Sequence, residues 1–283
     1  MNFAQSRVSN IENHPGEQLL KVATGVARGL WGERLLAVYA IGSLAHGGFS
    51  VHVSDVDVAL IVQDPLQPAD ASSIDQLLSR LQGGNVPFAD RLSLFWGSPG
   101  SLAGGVSGGR FPAADRLDLK NSGRLLAGRD LRTDIIRPTL NELVVDGAVL
   151  ALQKLSTPAV VAKIRDPIAL AGSDAIRLTK WLLFPVRLLF TLRTGEVAEV
   201  DRAVQHFCSV TSGPEAKLAR CALGWRFAPP PPHDPDALEV IAQGAVPFYR
   251  RLLDEYGAQL RCYGRLDLAD AFRDWHCRLA HQL

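Results

Sequence analysis

Apolar residues near the start of the chain follow a helical period, and three strand-like patterns come after it. Residues 16–30 place them at helical spacing, which predicts an amphipathic helix. The short apolar run Leu35–Ile41 stops abruptly at Gly42-Ser43, as a buried strand does at a tight corner. Residues 54–62 and 90–96 carry the next two apolar runs, and each predicts a strand. One helix and three strands in this order predict a small α/β unit.

The second half of the chain shows helical spacing almost throughout. Pro138 marks a helix start, and Ser173 is expected to cap a strongly apolar helix that ends at Gly195. Further helices are predicted at residues 196–209, 214–226, 237–260 and 266–279. A short α/β unit followed by helices predicts an α+β fold, with an α/β domain at residues 1–134 and an all-helical domain at residues 135–283.

Two further segments, one before and one after the third predicted strand, also carry structural predictions. Ser72 or Ser73 is expected to cap a helix that continues to Leu81. Residues 97–109 contain six glycines and almost no large side chains. Such a segment predicts a mobile surface loop that contributes nothing to a core.

Two carboxylates and a glycine corner are the candidate chemistry of the first half. Asp55 and Asp57 leave the same face of a strand, because side chains alternate along it. Adjacent carboxylates repel each other unless cations neutralise them, and Mg²⁺ takes such oxygen ligands while it bridges substrate phosphates. The Gly42-Ser43 corner offers backbone N–H groups and a hydroxyl, which suit phosphate oxygens. His46, in the connection between the two, is expected at the surface.

These residues carry a family resemblance. A strand that ends in Gly42-Ser43, a loop of about ten residues and then Asp55-Val56-Asp57 on an apolar strand resemble the nucleotidyltransferase superfamily that includes DNA polymerase beta. With Ser54 in front, the pattern resembles its aminoglycoside adenylyltransferase and minimal nucleotidyltransferase branches. The resemblance implies a mixed sheet, phosphate binding by Gly42 and Ser43, and metal binding by Asp55 and Asp57.

The resemblance also implies an activity. It is the Mg²⁺-dependent transfer of a nucleoside monophosphate, AMP from ATP, to a hydroxyl of an aminoglycoside-like small molecule. A third carboxylate is then expected on the third strand, as a metal ligand or as the base that takes the hydroxyl proton. If the family's acid stands directly before the apolar run, Asp90 fits this role. If the family's acid stands one residue inside the run, Ser93 has replaced it in this chain. Asp90 is the carboxylate next to this predicted strand, and it is our candidate for the third catalytic acid.

The helical half extends the resemblance to aminoglycoside 3''/9-adenylyltransferases. In those enzymes a nucleotide-contacting arginine on one helix is followed by a Thr-Gly pair, and Arg187 and Thr194-Gly195 match that spacing here. Val200 stands where they have a lysine, and Arg202 or Lys217 are the candidates to replace it. The acids with which those enzymes bind a cationic acceptor have no clear counterpart in this sequence. Asp174 lies near the expected place, although it could equally be a first-turn helix acid.

Composition and charge limit the kinds of binding partner and the cellular location that we expect. Lys+Arg 30 against Asp+Glu 29 gives a formal charge of +1, which argues against an enzyme that works on long nucleic acids. No apolar stretch of about 18 residues is present, so no membrane span is expected, and the N-terminus lacks the apolar core of a signal peptide, which predicts a cytoplasmic protein. The four cysteines have no CxxC spacing and are expected to be buried free thiols.

Two other functions stay open. One is the same transfer chemistry with a protein or tRNA acceptor. The other is a nucleotide-binding or scaffold protein that keeps the aspartate pair but has lost its base, which Ser93 permits. Balanced charge and a large helical half favour a small-molecule acceptor over a macromolecule. The sequence does not separate the small-molecule enzyme from the scaffold.

Overall fold

The structure, a computed structural model, describes residues 15–104 and 108–280. Contacts divide the chain into two compact units. The first contains the described residues up to Phe49 and Ser54–Pro138, and the second contains Ser50–Val53 and the described residues from Thr139 onward. A mixed sheet with helices in the first unit and helices in the second confirm the α+β class. The domain bounds 1–134 and 135–283 stay a prediction, since both ends of the chain lie outside the described residues.

The first unit is a four-stranded sheet with helices on both faces. Its elements are, in chain order, α1 (Pro15–Trp31), β1 (Leu35–Ile41), α2 (Gly42–His46), β2 (Val56–Val62), α3 (Pro68–Gly83), β3 (Leu92–Gly97), α4 (Pro99–Leu102), α5 (Ala113–Ser122) and β4 (Arg124–Gly128). The strand order is β3-β2-β1-β4. β1 runs antiparallel to β2 and β4, whereas β2 and β3 are parallel.

Alternation along β1 assigns each face of the sheet to different helices. Val38 and Ala40 belong to the core that α1 and α3 cover. Tyr39 and Ile41 belong to the core on the opposite face, which Leu119 of α5 helps to fill. Since residues on β2 alternate in the same way, the odd-numbered positions of that strand share the α5 face.

The second unit is built from helices around one large core. Its helices are α6 (Leu140–Leu155), α7 (Pro158–Arg165), α8 (Pro167–Ala171), α9 (Ala175–Thr194), α10 (Val200–Val210), α11 (Pro214–Trp225), α12 (Pro235–Cys262) and α13 (Leu266–Ala280). Aromatic rings from α12 and α13 pack at its centre, where Tyr256 stacks on Phe272 with 5.6 Å between ring centroids. As predicted, Gly195 ends α9 in the left-handed conformation.

The predicted starts of two helices and the predicted cap of a third are wrong, because other side chains satisfy the first N–H groups. α3 starts at Pro68 rather than after Ser72 or Ser73, since Gln67 and Asp70 form a capping box around its first turn. α6 starts two residues later than predicted, because the Thr139 hydroxyl accepts the Glu142 N–H. α9 is capped by Asp174 and not by Ser173.

One part of the glycine-rich segment lies in a core, which its composition does not predict. Leu102 of α4 is 1% exposed and packs in the core of the α5 face, so the prediction of a segment outside any core is wrong. Backbone hydrogen bonds in both directions join Trp96 to Arg110 over 2.9 and 2.8 Å. They hold the two ends of the segment together. Residues 105–107 of the predicted loop lie outside the described residues.

Two sequence predictions concern membranes and thiols. In the part of the chain that the structure describes, no single helix has the length and apolar composition of a membrane span. The pair α6 and α7, bent by 78°, meets that test only when taken together. All four cysteines are free thiols, but Cys262 and Cys277 are exposed, so the expected burial is wrong for them. Most of the N-terminal segment used to predict localisation lies outside the described residues.

Candidate active site

Asp55 and Asp57 lie at the start of β2 and share one face of the sheet. Their side chains are half-buried, whereas Val56 and Val58 between and after them are fully buried against α1 and α3. The carboxylates therefore lie on the opposite face, the one that α5 covers. This is the same-face arrangement that alternation along a strand predicts.

The Gly42-Ser43 corner lies directly against this pair. Ile41, the last residue of β1, pairs with Asp57 across the antiparallel ladder. Gly42 follows with φ +65°, and a Cβ at this position would lie well inside van der Waals contact with Asp57 Oδ2. Only glycine fits both the backbone angle and the space. The half-buried Ser43 hydroxyl makes no hydrogen bond with the described residues.

Asp118 is a further acid at this corner, and sequence reasoning missed it. Asp118 Oδ2 accepts the Gly42 N–H over 2.8 Å, and Asp118 Oδ1 accepts a hydrogen bond from His46 Nε2 over 2.7 Å. The His46 side chain is 9% exposed, so its expected surface position is wrong. His46 ends α2 and turns inward because this carboxylate binds it. No motif marks Asp118, which follows Gly42 by 76 residues.

The register between β2 and β3 decides which residue is the neighbour of Asp57. Asp57 pairs with Ser93 in the parallel ladder, so the two side chains leave the same face side by side. Asp90 is exposed and lies in the 3₁₀ turn Ala89–Arg91 before β3 begins. The catalytic role of Asp90 stays a prediction, and the register favours position 93 as the place of a third acid.

In the helical unit, Arg187 is exposed on α9. Arg226 is 5% exposed, and one of its guanidinium nitrogens lies 3.5 Å from Asp201 Oδ2. Burial lowers the pKa of Arg226, Asp201 opposes that shift, and the positive charge of Arg187 adds to it. Arg187 is therefore close enough to Arg226 for the two charges to interact.

The structure also separates the two candidates for the missing lysine. Val200 is the first residue of α10, where the resemblance expects that lysine. Arg202 and Thr194 line one cavity of about 390 Å³, and Arg202 lies over the Phe190 ring at 5.7 Å. Lys217 lines a different cavity of about 380 Å³. Of the two cations, Arg202 is thus the one beside the Thr194-Gly195 pair.

The donor set at the corner fits a magnesium ion. Asp55 and Asp57 supply hard carboxylate oxygens on one face, and Mg²⁺ is typically held by one or two carboxylates together with substrate phosphates. Among the described residues, no group of three or more His, Cys, Asp and Glu side chains is arranged to hold a metal ion. The protein alone therefore does not build a complete metal cage there, and further ligands would have to come from substrate and water.

Comparisons with known proteins support the fold. Protein-family models and curated protein sequences give no match. Among solved structures, the chain is similar to spectinomycin adenyltransferase AAD(9) from Enterococcus faecialis, whose crystal structure contains ATP and spectinomycin. The likeness has a TM-score of 0.61 and 12% sequence identity, and it covers 84% of this chain and 98% of that one. The chain therefore has the fold of an aminoglycoside adenylyltransferase-like nucleotidyltransferase, which is the fold that Gly42-Ser43 and Asp55-Val56-Asp57 implied.

Proposed function

We propose that the chain is a metal-dependent nucleotidyltransferase that transfers AMP from ATP to a hydroxyl of a small molecule. The observation that carries the proposal is the close approach of the Gly42 backbone to Asp57 Oδ2. It brings the Ser43 hydroxyl, a donor for phosphate oxygens, to the same corner as a pair of carboxylates that suits a divalent ion.

The transfer breaks one bond and forms one. The acceptor oxygen attacks the α-phosphorus in line, a new phosphate ester bond forms, the bond to the β-phosphate breaks and pyrophosphate leaves. Mg²⁺ supplies neutralisation of the phosphate charge when it is bound. In this arrangement Asp55 and Asp57 bind and orient the metal-bearing nucleotide, Ser43 donates to a phosphate oxygen, and Gly42 leaves room for both.

The acceptor proton needs a destination. Asp90 is our proposed base, and general base catalysis is typically worth about 10² to 10⁴-fold in rate. Ser93 beside Asp57 carries no charge at neutral pH. That observation supports a second candidate function, a nucleotide-binding protein without transfer activity.

A small-molecule acceptor and ATP have separate support. The structurally similar AAD(9) was crystallised with ATP and spectinomycin. Arg187 is our proposed nucleotide contact in the helical unit, where its side chain is exposed. Asp174 is less suited to an acceptor amine, because its carboxylate accepts the Arg177 N–H over 2.9 Å and also pairs with the Arg177 guanidinium.

The test is a mass-spectrometric screen for nucleotide transfer. The wild-type protein is incubated with Mg²⁺, each of the four nucleoside triphosphates and a panel of hydroxyl acceptors that includes spectinomycin. Asp57→Asn is the matched control, since it keeps the side-chain shape but weakens a metal ligand. We expect an adenylylated product with the wild type and none with Asp57→Asn. Tight ATP binding without product from any acceptor would favour the nucleotide-binding protein instead.

A further inference from the structure

One carboxylate holds both ends of the helix that follows the Gly42-Ser43 corner. Gly42 is the first residue of α2 and His46 is the last. Asp118 accepts from the Gly42 N–H with Oδ2 and from His46 Nε2 with Oδ1, over 2.8 and 2.7 Å. A carboxylate oxygen can only accept at such a contact, so His46 donates its Nε2 proton. Asp118 thus spans α2 from its first backbone N–H to its last side chain.

Helix α2 needs this outside contact. It has five residues, and an isolated helix of that length is unstable because nucleation costs more than its few hydrogen bonds return. Its N-cap residue, Ile41, has no side chain that can accept an N–H. Asp118 supplies the missing cap from another helix, and hydrogen bonds to a carboxylate are stronger than those between neutral groups.

Asp118 is itself firmly placed. Its neighbours on α5, Leu117 and Leu119, are 0% and 1% exposed, and Leu119 packs against the sheet face that also carries Asp57. The Asp118 side chain is 14% exposed, which limits competition from water for its oxygens. A movement of α2 relative to the sheet would therefore break two well-shielded hydrogen bonds.

We propose that Asp118 is a positioning residue that fixes the Gly42-Ser43 corner relative to Asp57 and so sets the affinity for the nucleotide's phosphates. This inference rests on the proposed function, in which Ser43 and the aspartate pair hold the same nucleotide. Asp118 acts through Gly42 and touches no substrate. Its place on α5, 76 residues after Gly42, makes that helix part of the support of the phosphate site.

Four variants separate this role from general stability. Asp118→Ala removes both hydrogen bonds. Asp118→Asn keeps them, because the amide oxygen accepts from Gly42 and the amide NH₂ donates to a neutral His46 ring. His46→Ala removes one contact and leaves the other. Asn121→Ala, at an exposed position of the same helix, is the matched control.

Two measurements are made on each full-length variant. Calorimetry gives the affinity for ATP with Mg²⁺, and amide hydrogen exchange of ¹⁵N-labelled glycine reports on the Gly42 N–H. We expect Asp118→Ala to weaken ATP binding by at least about tenfold and to speed Gly42 exchange, while Asp118→Asn and Asn121→Ala stay within about threefold of the wild type. His46→Ala is expected to lie between, and it serves as the test variant if Asp118→Ala does not fold.

The outcomes distinguish this inference from the proposed function. A residue that only stabilises the fold would lower the melting temperature and leave the ATP affinity of the folded protein unchanged, and that result overturns the positioning role. Unchanged Gly42 exchange in Asp118→Ala overturns the contact itself. A wild-type protein that does not bind ATP contradicts the proposed function and this inference together, whereas normal ATP binding by Asp118→Ala contradicts this inference alone.

Discussion

At the scale of single residues, glycine at position 42 is required for two separable reasons. Its φ of +65° lies in the left-handed region, which costs other residues about 1 kcal/mol or more. A side chain would also collide with Asp57 Oδ2. Gly47, at the other end of α2, has φ +89° but nothing within 4 Å of an added Cβ. The two positions therefore share a backbone angle that would strain any other residue, but only position 42 is crowded.

This difference gives a prediction for two alanine variants. Gly47→Ala should cost about 1 kcal/mol in the free energy of unfolding, from backbone strain alone, and leave ATP affinity unchanged. Gly42→Ala should cost more than that and weaken ATP binding by at least about tenfold, because the methyl group displaces the Asp57 carboxylate. Urea denaturation and calorimetry measure the two effects. Equal loss of ATP affinity in both variants would mean that strain in α2, rather than crowding at Asp57, is what matters.

The proposed base, Asp90, gives the second prediction at this scale. If Asp90 takes the acceptor proton, Asp90→Ala should lower the single-turnover transfer rate by about 10² to 10⁴-fold and leave the nucleotide affinity nearly unchanged. Ser93→Asp is the companion variant, because Ser93 lies beside Asp57 whereas Asp90 lies outside the sheet. An unchanged rate in Asp90→Ala together with a higher rate in Ser93→Asp would show that the acid belongs at position 93, and the nucleotide-binding protein without transfer activity would then be favoured.

At the scale of elements, helix α3 is fixed by one buried acid. Asp70 is 3% exposed, and its oxygens accept from Trp31 Nε1, from the Gln67 N–H and from the Arg34 guanidinium over 2.7 to 3.0 Å. Asp70 thus caps α3 and ties it to α1 at the same time. The acid in this first turn is buried and bonds to distant residues, which is why a search for a local serine cap missed it.

The third prediction concerns this cap. Asp70→Ala should lower the free energy of unfolding by about 3 kcal/mol, because it leaves the Trp31 and Gln67 N–H groups without their carboxylate partner and breaks a half-buried ion pair with Arg34. Asp75→Ala, at an exposed position of the same helix, should change stability by less than about 0.5 kcal/mol. Urea denaturation of both variants is the measurement. A cost below about 1 kcal/mol for Asp70→Ala would show that water replaces its contacts.

Whether the sequence predicts an element correctly depends on how far apart along the chain the interacting residues lie. β1 and the end of α9 at Gly195 depend on local apolar runs and on a local turn, and both predictions are confirmed. The start of α3 depends on a side chain that also bonds to Trp31, 39 residues away, and that prediction is wrong. Leu102 lies in a core with residues from distant parts of the chain, and its backbone carbonyl accepts the Ile136 N–H. Composition reports none of these distant contacts.

At the scale of the whole molecule, the candidate site divides in the same way. Asp55, Asp57, Gly42 and Ser43 lie in one continuous stretch, and the family resemblance that this stretch carries implied that they share one site. The position of Ser93 beside Asp57 needed the register of a parallel ladder, which no local pattern encodes. Asp118 needed the packing of α5 on the sheet. A motif therefore predicts the chemistry, whereas the residues that lie around the motif are found only from tertiary structure.

The last prediction is a metal requirement for nucleotide binding, which is expected from the charge at this corner. ATP carries several negative charges, and Asp55 and Asp57 present two more on the same face, so the nucleotide is repelled unless a cation lies between them. Calorimetric titration of the wild type with ATP should show an affinity at least about tenfold higher with Mg²⁺ than with a chelator. Asp57→Asn removes one of the two charges, so its affinity in chelator should be at least that of the wild type, while Mg²⁺ should improve it far less. The fold should be unaffected, because the other face of β2 carries the core residues Val56 and Val58. Equal wild-type affinity in Mg²⁺ and in chelator would mean that the aspartate pair does not bind a metal-bearing nucleotide, and the proposed chemistry would lose its main support.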